Sequence, residues 1–285
     1  MAEVWRGLPV AKALTAQLIS RREKLEAAGV IPTLAIVRSG EKGDDIAYEN
    51  AAIKRCEKIG IQVRHFLLTE DCTEEQLLNV IREINTDPSI HGCLLFRPMP
   101  NRAIQAKACE ILNPEKDSDG MTPHSLAAVF SGKGSGYAPC TAEACMEILD
   151  YYGAELEGRR VTVIGRSLVI GRPVSMMLQA RNATVTMCHT KTKNLPAVCR
   201  DAEILIATAG RAELVKKEYL SPGQIVIDVG INADEEGNLV GDVAFQDAED
   251  IVRAVTPVPG GVGSVTTAVL AKHVIMTAEK MAGLA

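Results

Sequence analysis

The sequence predicts an α/β protein of two domains, each built on a parallel sheet with crossover helices. Three observations carry this. Short apolar runs rich in β-branched residues alternate with longer stretches of helical periodicity, the signature of consecutive βα units. A length of 285 residues allows about two domains. Ser131 to Pro139, rich in glycine and ending in proline, interrupts the alternation and is the candidate linker.

The elements follow in order. A helix is expected around Ala11 to Ala27. A strand at Leu34 to Val37, a helix from about Asp45 to Lys58, a strand at Val63 to Leu67, a helix from Thr73 to Asn85 and a strand at Gly92 to Leu95 complete the first half. Beyond the linker, a helix from Thr141 to Tyr152 leads to a strand at Val161, a helix over 172–181 and a strand over 184–187. An apolar run at Ile204 to Ala207 and a strand at Ile225 to Val229 precede a last helix from about Thr266, which is expected to return to the first domain. This divides the chain into residues 1–139 plus 268–285, and residues 140–267. No repeats or low-complexity tracts interrupt it.

Composition excludes several classes. A net charge of -5 and few aromatic residues speak against a nucleic-acid partner. The eight cysteines form no C-x-x-C pair, which argues against a zinc site or a disulfide framework and for a reducing cytoplasm. There is no membrane-length apolar stretch and no signal-like start, so the expectation is a cytoplasmic protein without a membrane partner.

The stretch richest in chemistry is Val161-Thr-Val-Ile-Gly-Arg-Ser-Leu-Val-Ile-Gly-Arg-Pro173. Val161, Val163 and Ile164 suit a strand buried on both faces, and Pro173 suits the first turn of the following helix. Gly165 and Gly171 permit close approach of backbone to a ligand or to a neighbouring element. The free amides of that helix would face an anion. Ser167 stands where G-x-G-x-x-G has its second glycine, so the stretch reads either as a dinucleotide site or as an ordinary strand-turn-helix corner. After the next strand, Ala183-Thr-Val-Thr-Met-Cys-His-Thr-Lys-Thr192 lacks the acid that would bind a free ribose. Thr190 and Lys191, with Arg166, offer donors for a 2′-phosphate, which favours NADP over NAD; the alternative is a polar loop with a solvated lysine. His189 reads as structural, with no nucleophile in view.

Together with Pro114-Glu-Lys-Asp-Ser-Asp-Gly120, Pro139-Cys-Thr141, Ile227-Asp-Val-Gly-Ile-Asn232 and Thr256-Pro-Val-Pro-Gly-Gly-Val-Gly263, these segments resemble, in collinear order, the methylenetetrahydrofolate dehydrogenase/methenyltetrahydrofolate cyclohydrolase family. The resemblance implies two α/β domains around a cleft, an N-terminal folate domain and a Rossmann-like NADP-binding domain, tetrahydrofolate derivatives as substrates and a homodimer. It places Tyr48 over the folate and Asp119 on the pterin, with Pro259, Gly260 and Gly261 lining the folate site. It assigns Gly165, Arg166, Ser167, Thr190 and Ile231 to the cofactor. Read structurally instead, Tyr48 is a residue of an amphipathic helix and Asp119 a turn-former ahead of Gly120.

One departure is informative. The family places a lysine four residues after the tyrosine, where this chain has Ala52, and a glutamine partner where it has Phe96 in Leu95-Phe-Arg-Pro98. Lys54 is rotated by roughly 200° around the helix from position 52. Hydride transfer needs alignment of donor and acceptor, whereas hydrolysis of the methenyl product also needs a proton-transfer group. The expectation is therefore an NADP-dependent dehydrogenase with weak or absent cyclohydrolase activity. The alternatives are a fully bifunctional enzyme, with Arg97, Lys54 or water in the lysine's part, and a nucleotide-binding protein without turnover.

Overall fold

In the computed structural model, which describes residues 1–285, the chain opens with a short strand, β1 (Glu3–Val4), and a long helix, α1 (Gly7–Ala27). Strand and helix then alternate as the periodicity requires: β2 (Thr33–Ser39), α2 (Gly43–Ile59), β3 (Gln62–Leu68), α3 (Glu74–Thr86), β4 (Gly92–Leu95) and α4 (Arg102–Ile111). The helices α5 (Pro123–Ser131) and α6 (Cys140–Tyr151) precede a second alternating series, β5 (Arg160–Ile164), α7 (Gly171–Ala180), β6 (Thr184–Cys188), α8 (Leu195–Arg200), β7 (Ile204–Ala207) and β8 (Ile225–Asp228). The chain finishes with β9 (Asn232–Ala233), β10 (Leu239–Val240), α9 (Phe245–Ile251), β11 (Ala254–Val255) and α10 (Thr266–Met281).

Two units result. Ala13–Cys140 with Thr267–Ala285 form one, around a parallel sheet of order β3-β2-β4. Central β2 is buried along its whole length, which is why Leu34, Ala35, Ile36 and Val37 form an unbroken apolar run. Its core takes Leu77, Ile81 and Ile84 from α3 and Ile104 and Ala108 from α4. Met1–Lys12 with Thr141–Thr266 form the other, around a sheet of order β1-β11-β8-β7-β5-β6, parallel throughout. Leu205, Ala207, Val226 and Val255 anchor its core.

The first twelve residues depart from the sequence division, which gives them to the folate domain. Glu3 pairs with Ala254 and Val4 with Val255, so β1 extends the six-stranded sheet and the division falls within α1, after Lys12. A two-residue strand has no periodicity to read. The other boundaries lie at 140/141 and 266/267, against the 139/140 and 267/268 of the sequence division. Helices α4, α5, α8 and α9 and the β9–β10 hairpin were not anticipated. No helix is long and apolar enough to cross a membrane, and no group of three or more His, Cys, Asp or Glu is placed to hold a metal. All eight cysteines are free thiols, and six of them are fully buried. Burial pushes those of Cys56, Cys145 and Cys199 up to about 12 and raises Cys93, Cys109 and Cys188 as well.

The segment carrying Asp119 is tied down on both sides. Buried Lys116 donates from Nζ to the carbonyls of Ile84 (2.7 Å), Asn85 (3.2 Å) and Asp87 (2.7 Å), closing the C-terminal end of α3 as a cation should. Asp117 accepts from the Thr122 N–H and the Ser125 hydroxyl, both at 2.7 Å, and so locks the start of α5. Opposite, His273 of α10 meets the Ser118 carbonyl at 2.8 Å through Nδ1. Lys116→Met keeps the length of the side chain but leaves these carbonyls without their donor. It should cost about 2–3 kcal/mol, measured as a shift of the urea unfolding midpoint.

Candidate active site

In the six-stranded sheet the chain leaves β5 toward β6 on one side and toward β7 on the other, so the order reverses beside β5. Loops diverge at such a point and leave a crevice at the carboxyl ends of the strands. Here the crevice is a pocket of 460 Å³ lined by Gly165, Arg166 and Ser167 after β5, His189, Thr190 and Thr192 after β6, and Thr208, Ala209 and Arg211 after β7. Leu195, Leu214 and Tyr219 supply an apolar wall.

Glycine explains how the loops come together. Gly165 has φ +126°, and a methyl group there would lie 2.3 Å from the Thr208 carbonyl oxygen. A methyl on Gly171 would lie 2.3 Å from the Gly165 carbonyl oxygen. Both glycines therefore serve backbone-to-backbone contact, Gly165 with the loop after β7 and Gly171 with the β5 turn. Ser167 accepts from the Ile170 N–H at 3.1 Å and shapes the turn into α7. His189, which also lines the pocket, accepts from the Lys191 N–H at 3.1 Å through Nδ1, and its backbone N–H donates to the Thr192 hydroxyl at 2.9 Å. The Thr208 hydroxyl is buried without a partner at the pocket, a polar atom that a bound dinucleotide could satisfy.

The structure redistributes the cationic donors. Arg166 lines the pocket; Lys191 is exposed and does not, whereas Arg211, unremarked in the sequence, does. Ile231 is 71% exposed at the foot of the β9–β10 hairpin and is not part of the lining. The residue that sequence reasoning missed most clearly is Asp242. Wholly buried, it accepts from the backbone N–H groups of Ala209, Gly210 (2.9 Å) and Arg211 (2.9 Å) and from the Asn232 side chain (2.9 Å). It thus holds the whole loop after β7. Asp228 beneath it accepts from Gly230, Asp242 and Val243 N–H. Burial pushes the Asp228 carboxyl up to about 7 against the pull of those donors, with Asp242 adding to the rise. The signal was present in Ile227-Asp-Val-Gly-Ile-Asn232 and Gly241-Asp242, because Gly230 and Gly241 are the positions where a side chain would strike these carboxylates.

In the other unit, Tyr48 and Ala52 lie one turn apart on α2. The Tyr48 ring meets that of Phe96 edge to face at 6.0 Å, and Ala52 and Phe96 are buried. Lys54 is exposed. Arg97 donates through Nη2 to Asp119 at 3.2 Å, so the structure brings Asp119 and the segment after β4 together. Burial raises the Asp119 carboxyl; Arg97 opposes this and Asp117 adds to it. Pro259, Gly260 and Gly261 lie in the six-stranded unit between β11 and α10, where Gly260 has φ +102° and its carbonyl accepts from the Gly7 N–H at 2.8 Å. They form a rigid turn, as the proline and glycine content predicts.

Comparison with known proteins gives these features a context. Residues 5–119 match the catalytic domain, and residues 139–282 the NAD(P)-binding domain, of tetrahydrofolate dehydrogenase/cyclohydrolase. The chain belongs to the tetrahydrofolate dehydrogenase/cyclohydrolase family. It is 48% identical to the bifunctional protein FolD of Carboxydothermus hydrogenoformans, with the whole of both chains covered. Among solved structures, the bifunctional FolD dehydrogenase/cyclohydrolase of Campylobacter jejuni superimposes with a TM-score of 0.95 at 34% identity, covering 98% of this chain and 99% of that one. The Trypanosoma brucei FolD, solved with NADP cofactor and an inhibitor, gives 0.91 at 32% identity and 98% of each chain. Names that declare two activities count against the expectation that hydrolysis has been lost.

For this family member, Asp242→Asn turns an accepting oxygen into a donor facing backbone N–H groups. Dinucleotide affinity should fall about tenfold, near the ~1.4 kcal/mol of one charge-assisted hydrogen bond. Fluorescence titration with NADPH, beside a melting curve that reports folding, measures it.

Proposed function

We propose that the chain oxidises 5,10-methylenetetrahydrofolate with NADP and hydrolyses the methenyl product to 10-formyltetrahydrofolate. The pocket beside β5 carries the first half of this reading, because its Arg166, Arg211 and Thr190 surround a crevice that offers no carboxylate to a free ribose. Gly165 to Ser167 and Thr208 would hold the dinucleotide. NADP, when bound, supplies the hydride acceptor.

The protein's part in oxidation is alignment. Hydride leaves the bridging carbon and a cation spread over two nitrogens remains, so no side chain has to remove a proton from that carbon. Tyr48 offers a ring face beside Phe96, and Asp119 an acceptor for pterin N–H groups. Hydrolysis requires more: water adds to the carbon, loses a proton, and the carbon–nitrogen bond that breaks returns one to nitrogen. The names of the relatives support this second activity.

A second reading, oxidation without efficient hydrolysis, is favoured by one observation. Ala52 and Phe96 are both buried and apolar, where the family resemblance puts a lysine and its glutamine partner. Lys54 is no substitute, being exposed and on another face of α2. Arg97 is no substitute as a proton carrier, because guanidinium groups keep their proton in proteins.

Two measurements test this. NADP should bind at least tenfold more tightly than NAD, a difference of about 1.4 kcal/mol, and Arg166→Ala should narrow the gap; equal affinities for the unaltered protein would remove the 2′-phosphate assignment. In the second, NADPH formation and methenyl absorbance are followed in one cuvette. Hydrolysis is expected to keep pace with oxidation. Accumulation of the methenyl compound would select the second reading, and the double change Ala52→Lys with Phe96→Gln should then restore more hydrolysis than the two single changes summed.

A further inference from the structure

Arg97 is an arginine that the fold does not explain. One of its N–H groups reaches Asp119 at 3.2 Å, but its Nε is buried with no acceptor, a cost that an apolar side chain at this position would avoid. Arginines that serve packing alone are ordinarily saturated with acceptors. What this one gains from its place after β4 is a single carboxylate.

That carboxylate is held against its charge by burial and by Asp117, which shares its turn, while a hydrogen bond from Cys140, at the start of α6, favours the charged form as Arg97 does. The thiols of Cys93 and Cys109 lie close enough to feel it. Arg97 is the one cation that acts on it. Lys116, three residues earlier, spends its ammonium on the end of α3. An ionised carboxylate accepts from a pterin's N–H groups on both oxygens, whereas a protonated one gives up acceptor capacity to its own O–H.

We propose that Arg97 is the positioning residue of Asp119, keeping it ionised and aimed, so that the folate-binding group of this chain is the Arg97–Asp119 pair. The inference rests on the reading that Asp119 contacts the folate. With burial raising the Asp119 carboxyl and Arg97 holding it down, loss of the guanidinium lets the carboxyl rise further, and the pH below which folate binding fails moves upward.

The experiment compares Arg97→Leu, Arg97→Gln, Arg97→Lys and Asp119→Asn with the unaltered enzyme in the dehydrogenase direction, over pH 5 to 9. The leucine and glutamine variants should raise the KM for methylenetetrahydrofolate at least tenfold at neutral pH and move the acid limb of kcat/KM up by about a pH unit. Their KM for NADP should stay within about twofold. The lysine variant, which keeps the charge, should hold the acid limb near its original place. An unchanged acid limb and folate KM in the glutamine variant would overturn the proposal, and glutamine keeps the site polar should leucine prevent folding. Asp119→Asn separates the two layers of the argument. If it leaves the folate KM unchanged, Asp119 is not a folate contact and the underlying reading falls; if it raises that KM while Arg97→Gln does not, only the pairing falls.

Discussion

The constraint on which the nucleotide-binding unit depends is the close approach of backbone at Gly165. Three loops, from β5, β6 and β7, have to converge on one crevice; a side chain at Gly165 would push the β5 and β7 loops apart by striking the Thr208 carbonyl oxygen, and one at Gly171 would strike the Gly165 carbonyl oxygen and open the β5 turn. Phosphate recognition by backbone amides requires that convergence, because amide dipoles act over short distances. Asp242 complements it from below. A carboxylate that accepts four N–H groups fixes the loop after β7 in one conformation, which a set of neutral side chains could do only with weaker bonds.

The unit built on the three-stranded sheet is organised by a different principle. Its small sheet leaves much of the geometry to the segment 114–122, whose charged residues are spent on backbone: Lys116 on the carbonyls ending α3, Asp117 on the amide and hydroxyl that open α5. The acidic residue two positions after Asp117 is left to face Arg97. Three charged residues within four positions thus take different parts, two bonded to backbone and one paired with Arg97.

Strands and long helices were legible because burial leaves a pattern in the sequence, an unbroken apolar run in central strands and a helical period in helices. β2 and β8 are buried at every position, and α3 places Leu77, Ile81 and Ile84 on one face. The short elements were not legible, since β1, β9 and β10 have two residues each and exist only through their partners. The same distinction applies to the sites. Gly165, Arg166, Ser167 and Thr190 lie in the turns after β5 and β6 and do line one pocket, while Arg211 reaches it only through the loop after β7, which buried Asp242 holds from behind the lining. Lys191 shows the converse: it adjoins Thr190 in the same loop, yet Thr190 lines the pocket and Lys191 does not.

The cysteines carry a consequence of their own. Reaction with peroxides, disulfides or alkylating agents proceeds through the thiolate, and burial holds most of these thiols in the protonated form. Partly exposed Cys72 and Cys109 are the first places to look for any modification. A fold that uses sulfur as a small packing atom separates two redox currencies: an enzyme of this kind would respond to the ratio of oxidised to reduced dinucleotide and be largely indifferent to the thiol–disulfide balance around it.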